Sequence, residues 1–351
     1  MTDIMTQSAP SLPRAENSTA PALEVRNLSV GFRAGKGYLK AVQDISFSVQ
    51  PGEVLGLVGE SGSGKSVTGL AIMGLIDAPG EITGGSVRLN GRELVGLAEP
   101  EMRKLRGREI SMVFQDPSTT LNPVLRVDTQ MIEAVRAHEP HVSVKAARAR
   151  AVDALAAVGI PSPAERLTAY PHQFSGGMRQ RLAIAIALLN KPSVLIADEP
   201  TTALDVTIQA QVLGEVQTLA AETGTAMVWI THDLSVVAGL ADRIAVMYAG
   251  HIIETGGVSD ILLDPHHPYT AGLIASVPSR GHRGEMLKQI PGVMPSLRNM
   301  PGGCPFHPRC AFARAVCREE FPQTAVAGNR AVNCHFAGSF ERTAARMEAH
   351  S

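Results

Sequence analysis

Four short apolar runs mark the middle of the chain, each long enough for a strand and too short for an ordinary helix. They occupy 53–58, 110–115, 194–197 and 227–230. Runs of this kind are typical of parallel strands whose two faces are both buried. Helix-compatible segments separate them, so the pattern predicts an α/β fold in which helices cover both faces of a parallel sheet.

The amino-terminal part follows a different pattern, in which apolar and polar positions alternate. Such alternation is typical of strands with one exposed face, and it runs through 23–30 and 41–49. The glycine-rich segment between them, 31–38, predicts a loop. A further strand at 84–90 ends in the turn-forming pair Asn90-Gly91. We therefore expect an antiparallel β subdomain beside the parallel sheet.

Alanine-rich, helix-compatible sequence fills 127–177. Ser143 is a favourable N-cap for a helix there, and the Gly-Ile-Pro sequence at 159–161 would end it. The face of this helix that is predicted to be buried consists of Val144, Ala151, Leu155 and Val158. A helical subdomain is thus expected between two strands of the parallel sheet.

The composition excludes some classes of function. Over 351 residues the formal net charge is −1, so there is no overall basic field that would recruit nucleic acid. The longest wholly apolar run, 182–189, is far too short to span a bilayer. The segment 1–21 lacks the layout of a signal peptide and is expected to be a disordered arm. We expect a cytosolic protein that meets a membrane only through a partner.

A glycine loop at 59–66 has the form G-x-x-x-x-G-K-S and lies between a predicted strand and a predicted helix. In that setting backbone N–H groups and the helix N-terminus bind phosphate. Lys65 would reach the β- and γ-phosphates, and the Ser66 hydroxyl would ligate Mg²⁺. A simple turn is the alternative. The remaining loop residues predicted to bind the nucleotide are Gly59, Ser61, Gly62, Ser63 and Gly64.

Two other stretches carry groups that suit phosphate chemistry. Asp198 and Glu199 end a buried strand, where Asp198 would hold Mg²⁺ and Glu199 would polarise the attacking water. Their alternative role is to cap a turn. Ser175, Gly176 and Gly177 precede a helix and predict a second anion site, although Ser-Gly-Gly is also a common helix cap.

All four cysteines fall in the last fifth of the chain, with five, six and sixteen residues between them. A reducing cytosol argues against disulfides, and four thiolates suit a [4Fe–4S] cluster or Zn²⁺. The wide spacing favours the cluster; His307 and His335 keep zinc open as the alternative, and four buried free thiols are the third possibility. Arg309 and Arg314 are expected to offset thiolate charge. The predicted ligands are Cys304, Cys310, Cys317 and Cys334.

Taken together, these motifs resemble those of the ATP-binding subunit of an ABC transporter. The loop at 59–66 matches the family's Walker A motif, and Asp198-Glu199 matches its Walker B aspartate and catalytic glutamate. The sequence 174–178 matches the signature, with Met178 where glutamine is usual. Further matches are Gln115 to the Q-loop, Asp205 to the D-loop and His232 to the switch histidine.

The resemblance implies a P-loop cassette with an antiparallel β subdomain and a helical signature subdomain. It also implies that Gln115 assists Ser66 and Asp198 in holding Mg²⁺. Phe32 is the implied adenine-stacking aromatic, with Tyr38 as the second candidate. Two cassettes would pair head-to-tail, so that each signature completes the partner's ATP site and Asp205 and His232 connect the interface to the γ-phosphate.

Three stretches and the cysteine segment resemble the oligopeptide/dipeptide importer branch of this family. The stretches are 114–123, 170–173 and 267–270. That resemblance implies a paralogous cassette as partner in a heterodimer, two membrane permease subunits and an extracytoplasmic solute-binding protein. It places the chain peripherally, on the cytoplasmic face of the plasma membrane, with the permeases docking at 115–123. Peptides are the expected solute; a nickel-chelate importer, a soluble ABC ATPase and a sensing cassette are alternatives.

The expected domain plan follows from these matches. The cassette spans 22–263, including a helical subdomain at about 124–178. A small C-terminal module with the four cysteines follows at 264–340, and 341–351 is expected to be a frayed tail.

Overall fold

A computed structural model describes residues 20–35, 37–201, 206–277 and 289–339. The strands are β1 (Leu23–Ala34), β2 (Gly37–Val49), β3 (Val54–Val58), β4 (Gly80–Leu89), β5 (Arg92–Glu93), β6 (Ile110–Val113), β7 (Val194–Asp198), β8 (Ala226–Thr231), β9 (Arg243–Tyr248), β10 (His251–Gly257), β11 (Ala325–Ala327) and β12 (Arg330–Val332). The α-helices are α1 (Lys65–Ile72), α2 (Glu99–Leu105), α3 (Pro117–Thr120), α4 (Val127–Arg136), α5 (Val144–Ala157), α6 (Pro163–Arg166), α7 (Gly176–Leu188), α8 (Val206–Thr223), α9 (Leu234–Leu240), α10 (Val258–Leu263), α11 (Pro268–Ala275) and α12 (Ala315–Glu319).

The larger sheet has the strand order β11-β12-β10-β9-β3-β8-β7-β6. Strands β9, β3, β8, β7 and β6 are parallel, and every residue of β3, β7 and β8 is buried, which confirms the prediction from the apolar runs. The pairing register aligns Val58 with Thr231 and Val113 with Ala197. The carboxyl ends of four parallel strands therefore meet at one edge of the sheet, where ligands bind in open sheets of this kind.

A second, antiparallel sheet has the order β2-β1-β4-β5, as the alternating pattern predicts. The prediction of a loop at 31–38 is wrong, because β1 and β2 extend into this segment from both sides, where Phe32 pairs with Leu39. Ala34 pairs with Gly37, and Gly35 has a positive φ of 61°. At the end of β4, Asn90 and Gly91 both have positive φ, 48° and 81°, which confirms the predicted two-residue turn.

In the helical subdomain α4, α5 and α7 pack together, and their buried residues form one core with residues of the parallel sheet. Ser143 caps α5, since its Oγ accepts a hydrogen bond from the Ala146 N–H at 3.2 Å. Ala151 and Leu155 are fully buried as predicted, but Val144 is 54% exposed. Val144 is the first residue of the helix, and Ala147 begins the buried face instead.

The C-terminal segment extends the cassette's own sheet, because β12 pairs antiparallel with β10. Its aromatic core is shared with the cassette as well. Tyr248 of β9, Tyr269 of α11 and Phe306 pack with ring centroids 4.7–5.4 Å apart. Of the helices in the described ranges, none is long and apolar enough to cross a bilayer.

Candidate functional site

The phosphate loop joins the end of β3 to the start of α1 along a path that only glycine permits at two positions. A Cβ at Gly59 would lie 2.1 Å from the Met247 carbonyl oxygen. Gly64 has φ of 107°, and a Cβ there would lie 2.7 Å from the Ala41 carbonyl oxygen. The loop is therefore pressed against β9 and β2, and its glycines cannot be replaced without moving backbone.

Lys65 is held inside this loop and is only 4% exposed. Its Nζ donates hydrogen bonds to the carbonyl oxygens of Gly59, at 2.8 Å, and Glu60, at 2.9 Å. Burial lowers the pKa of Lys65, while the carboxylates of Glu199 and Asp198 act in the opposite direction. A buried cation beside a glycine loop at the start of a helix is suited to bind phosphate.

Ser66 and Asp198 bring two oxygen donors together beside the lysine. The Ser66 hydroxyl donates to Oδ1 of Asp198 at 2.9 Å, although the two residues are far apart in the sequence. Burial raises the pKa of Asp198, and the hydrogen bond from Ser66 lowers it. Hydroxyl and carboxylate oxygens are the ligands that Mg²⁺ takes beside nucleotide phosphates, so this pair fits the ion that the sequence predicts.

Three parallel strands bring Gln115, Glu199 and His232 to one point. Oε2 of Glu199 accepts a hydrogen bond from Gln115 Nε2 at 3.3 Å and lies 3.2 Å from Nδ1 of His232. Glu199 has φ of 46°, a left-handed conformation that is uncommon outside glycine and that clusters at functional sites. Asp205, the fourth residue predicted for catalysis, lies outside the described residues.

The signature residues lie at the start of α7. Ser175 is its N-cap, with Oγ accepting from the Met178 N–H at 3.3 Å, and Ser175 and Gly176 are exposed. Met178 packs against the buried core beside α7 instead of extending into solvent.

The two candidates for stacking on adenine lie in the antiparallel sheet. Phe32 is half-buried, and its ring lies against Gly80. Tyr38 is exposed, and its hydroxyl is hydrogen-bonded to Glu81. The adenine-stacking role stays a prediction for both aromatic residues.

The four cysteines line a single cavity, together with His307 and His335. Burial raises the pKa of Cys304 and of Cys334 to about 11, so a cation would be needed to hold thiolates there. Within the described ranges, no three or more His, Cys, Asp or Glu side chains are arranged to hold a metal ion. A metal at the cysteines therefore stays a prediction.

The sequence pattern does not predict the contact between Glu60 of the phosphate loop and Arg309. Arg309 donates two hydrogen bonds to the Glu60 carboxylate, at 2.9 and 3.0 Å, and so does not serve the cysteines as predicted. Arg314 lies over the ring of Phe336, 4.3 Å from its centroid. Glu60 and Arg309 are 249 positions apart, and no spacing rule pairs residues at such a distance.

The site as a whole is that of a P-loop nucleotide-binding protein, with a buried lysine, a Ser–Asp pair and a glutamate directly after that aspartate at the end of β7. Residues 42–202 match the family model described as ABC transporter. Residues 253–317 match the model for the C-terminal region of oligopeptide/dipeptide transporters. The chain belongs to the ATP-binding subunits of ABC transporters, in the oligopeptide/dipeptide branch.

Individual relatives agree with that assignment. The oligopeptide transport ATP-binding protein OppD of Escherichia coli (strain K12) is 49% identical over 311 residues, 89% of this chain and 92% of the relative. The dipeptide transport ATP-binding protein DppD of Bacillus subtilis (strain 168) is 49% identical over 314 residues, 89% and 93% of the two chains. Among solved structures, the dimeric ATP-binding cassette MJ0796 bound to ADP and Pi has a TM-score of 0.61 at 27% identity, covering 67% of this chain and 98% of that one. The predicted ABC ATPase cassette fold is thereby confirmed.

Proposed function

We propose that this chain hydrolyses ATP to power the import of di- or oligopeptides through a membrane complex. The observation that carries the proposal is the convergence of Gln115 and His232 on Glu199, beside Lys65 and the Ser66–Asp198 pair. Similarity over about nine-tenths of the chain to proteins named for oligopeptide and dipeptide transport supports peptides as the solute.

Each residue of the site has a role in this proposal. Lys65 and the loop N–H groups bind the β- and γ-phosphates, and Ser66, Asp198 and Gln115 hold Mg²⁺. When bound there, Mg²⁺ would supply positive charge to neutralise the phosphate oxygens. Glu199 accepts a proton from the attacking water, and His232 orients that carboxylate from the neighbouring strand end.

The proposed active unit is a head-to-tail pair of cassettes. Ser175 and Gly176 are exposed at the start of α7, as a signature that binds the partner's nucleotide requires. Two of the similar solved structures are described as dimeric. We take the partner to be a paralogous cassette, with Asp205 at the interface between the two chains.

Two permease subunits and a solute-binding protein complete the proposed complex. The permeases would dock on the segment 115–123, where Gln115, Asn122 and Pro123 are exposed and α3 forms a single short turn. Val124, next to this segment, is 76% exposed. We place the chain on the cytoplasmic face of the membrane, with the cassette at 22–263, its helical subdomain at about 124–178 and the C-terminal module at 264–340.

The shared cavity of Cys304, Cys310, Cys317 and Cys334 supports a [4Fe–4S] cluster as a structural or sensing group. Around one Zn²⁺, thiolates at about 2.3 Å from the metal would lie about 3.8 Å from one another. A cubane needs its four thiolates further apart, which suits the wide sequence spacing of these cysteines. Protein purified without oxygen should contain iron and sulfide in equal amounts; one zinc, or four titratable thiols without metal, would refute the cluster.

Affinity purification of the tagged chain from detergent-solubilised membranes tests the transport assignment. We expect two apolar permease subunits and a second cassette to be recovered with it. A matched preparation carrying changes in the exposed segment, Asn122→Asp and Val124→Asp, should recover the second cassette without the permeases. Recovery of the wild-type chain with no membrane subunit would favour the soluble-ATPase alternative.

A further inference from the structure

Glu60 lies in the phosphate loop and is held at three points. Its N–H donates to the Tyr269 hydroxyl at 2.9 Å, and its carbonyl oxygen accepts from Lys65 Nζ at 2.9 Å. Its carboxylate receives the paired hydrogen bonds from Arg309. Two of these three partners come from the C-terminal segment, and the third is the lysine of the phosphate site.

Arg309 is itself fixed before it reaches the loop. Its side chain is 6% exposed, its Nε donates to the Pro291 carbonyl oxygen at 2.8 Å, and its guanidinium lies 5.8 Å from the ring centroid of Tyr248. A guanidinium held on several sides presents its two-pronged donor face in one direction, at little further entropic cost. Arg309 therefore holds the carboxylate of Glu60 in a defined place.

The charge on Glu60 explains why that restraint matters. An unpaired carboxylate in a loop that binds phosphate would repel the triphosphate and compete for Lys65, since Glu60 already acts on the lysine electrostatically. Arg309 neutralises this charge and holds the carboxylate through two hydrogen bonds. Met294, another residue of the C-terminal segment, lies beside the same loop, since a Cβ added to Gly62 would be 3.5 Å from its methyl group.

We propose that Arg309 is a positioning residue for ATP binding, through which the C-terminal module sets the conformation and net charge of the phosphate loop. The proposal rests on the proposed function only in taking 59–66 as the ATP site. It assigns to the module a direct effect on nucleotide affinity, whether or not a metal is bound at the cysteines.

The test measures ATP binding by the purified full-length chain, using Mg²⁺-ATP titrations. Arg309→Ala should raise the Kd for ATP about tenfold, because two hydrogen bonds to a charged group and one neutralising charge are lost. Adding Glu60→Gln to the Arg309→Ala protein should restore the Kd for ATP to within about threefold of wild type, since the unpaired charge on Glu60 is removed. Arg318→Ala, an exposed arginine of the same module, is the control and should change nothing.

The outcomes separate this proposal from a general loss of folding. Arg309→Lys keeps the charge without the two-pronged geometry and should fall between wild type and Arg309→Ala; it also serves if the alanine variant cannot be recovered. An unchanged Kd in a folded Arg309→Ala protein would overturn the proposal, and so would an equal loss in the Glu60→Gln background. Failure of the wild-type chain to bind ATP at all would instead refute the proposed function.

Discussion

Replacing Glu199 by glutamine is the sharpest perturbation of the nucleotide site. Glutamine has nearly the same shape, so an amide oxygen can still accept from Gln115 Nε2, which lies 3.3 Å from the carboxylate, and can still face His232. What is lost is the capacity to take a proton from water. The variant therefore separates proton transfer from the structure around it.

The expected magnitude follows from the role of a general base. Such a group contributes about 10²- to 10⁴-fold to a rate, so ATP turnover should fall by at least about a hundredfold. Binding should be kept or tightened, because the Glu199 carboxylate is an anion close enough to oppose the lowering of the Lys65 pKa by burial, and it would also repel the phosphates. A variant that binds ATP and does not hydrolyse it should accumulate as a closed cassette dimer.

The assay combines phosphate release, ATP titration and light-scattering mass measurement on the chain with its partner cassette. Glu222→Gln makes the same charge change at an exposed position of α8 and is the matched control. Near-normal turnover in Glu199→Gln would refute the assignment of Glu199 as the base. Loss of ATP binding in this variant would refute the expectation that the Glu199 carboxylate is not needed for ATP binding.

Three further predictions concern other parts of the chain. Lys65→Ala should weaken ATP binding at least about tenfold, measured by titration, because a buried phosphate-binding cation is removed; unchanged affinity would contradict it. Ser175→Ala should leave ATP binding by the isolated chain intact and lower turnover of the paired cassettes, with Ser143→Ala, which removes a comparable N-cap from α5, as the control; equal effects of the two changes would contradict a role across the interface. Burial lowers the pKa of His267 to about 3 from 6.5, so protonation of the unfolded chain should cost about 2 kcal/mol of stability at pH 5, the loss beginning as pH falls through 6.5. In His267→Asn the asparagine can still accept from the Tyr269 N–H, and the denaturation midpoint should depend less on pH between 7 and about 5; an unchanged slope would contradict the assignment.

The parts of the fold that were predicted from the sequence are those with local determinants. Parallel strands such as β7 are apolar throughout because both faces are covered, and the glycine loop has a fixed spacing between a strand and a helix. Ser143 and Asn90-Gly91 likewise form structure with their immediate neighbours. These patterns need no knowledge of distant residues.

The incorrect expectations involve contacts that the local pattern does not contain. The glycines at 31–38 predict a loop, but pairing of Phe32 with Leu39 continues the ladder. Val144 has the right spacing for a buried face, yet it is 54% exposed in the first turn of α5. Arg309 was assigned to the cysteines by proximity in sequence, whereas a carboxylate 249 positions away binds it in the folded chain.

The central claim is that ATP hydrolysis at this site drives peptide import, and transport in reconstituted vesicles tests it most directly. The purified complex of both cassettes and both permeases would be placed in liposomes. Peptide-loaded binding protein would be supplied on the side of the membrane opposite to the cassettes, and ATP on the side of the cassettes. We predict uptake of labelled peptide that requires ATP and is abolished by Glu199→Gln but not by Glu222→Gln. Equal uptake by the wild-type and Glu199→Gln complexes, or ATP turnover that peptide-loaded binding protein fails to stimulate, would contradict the account.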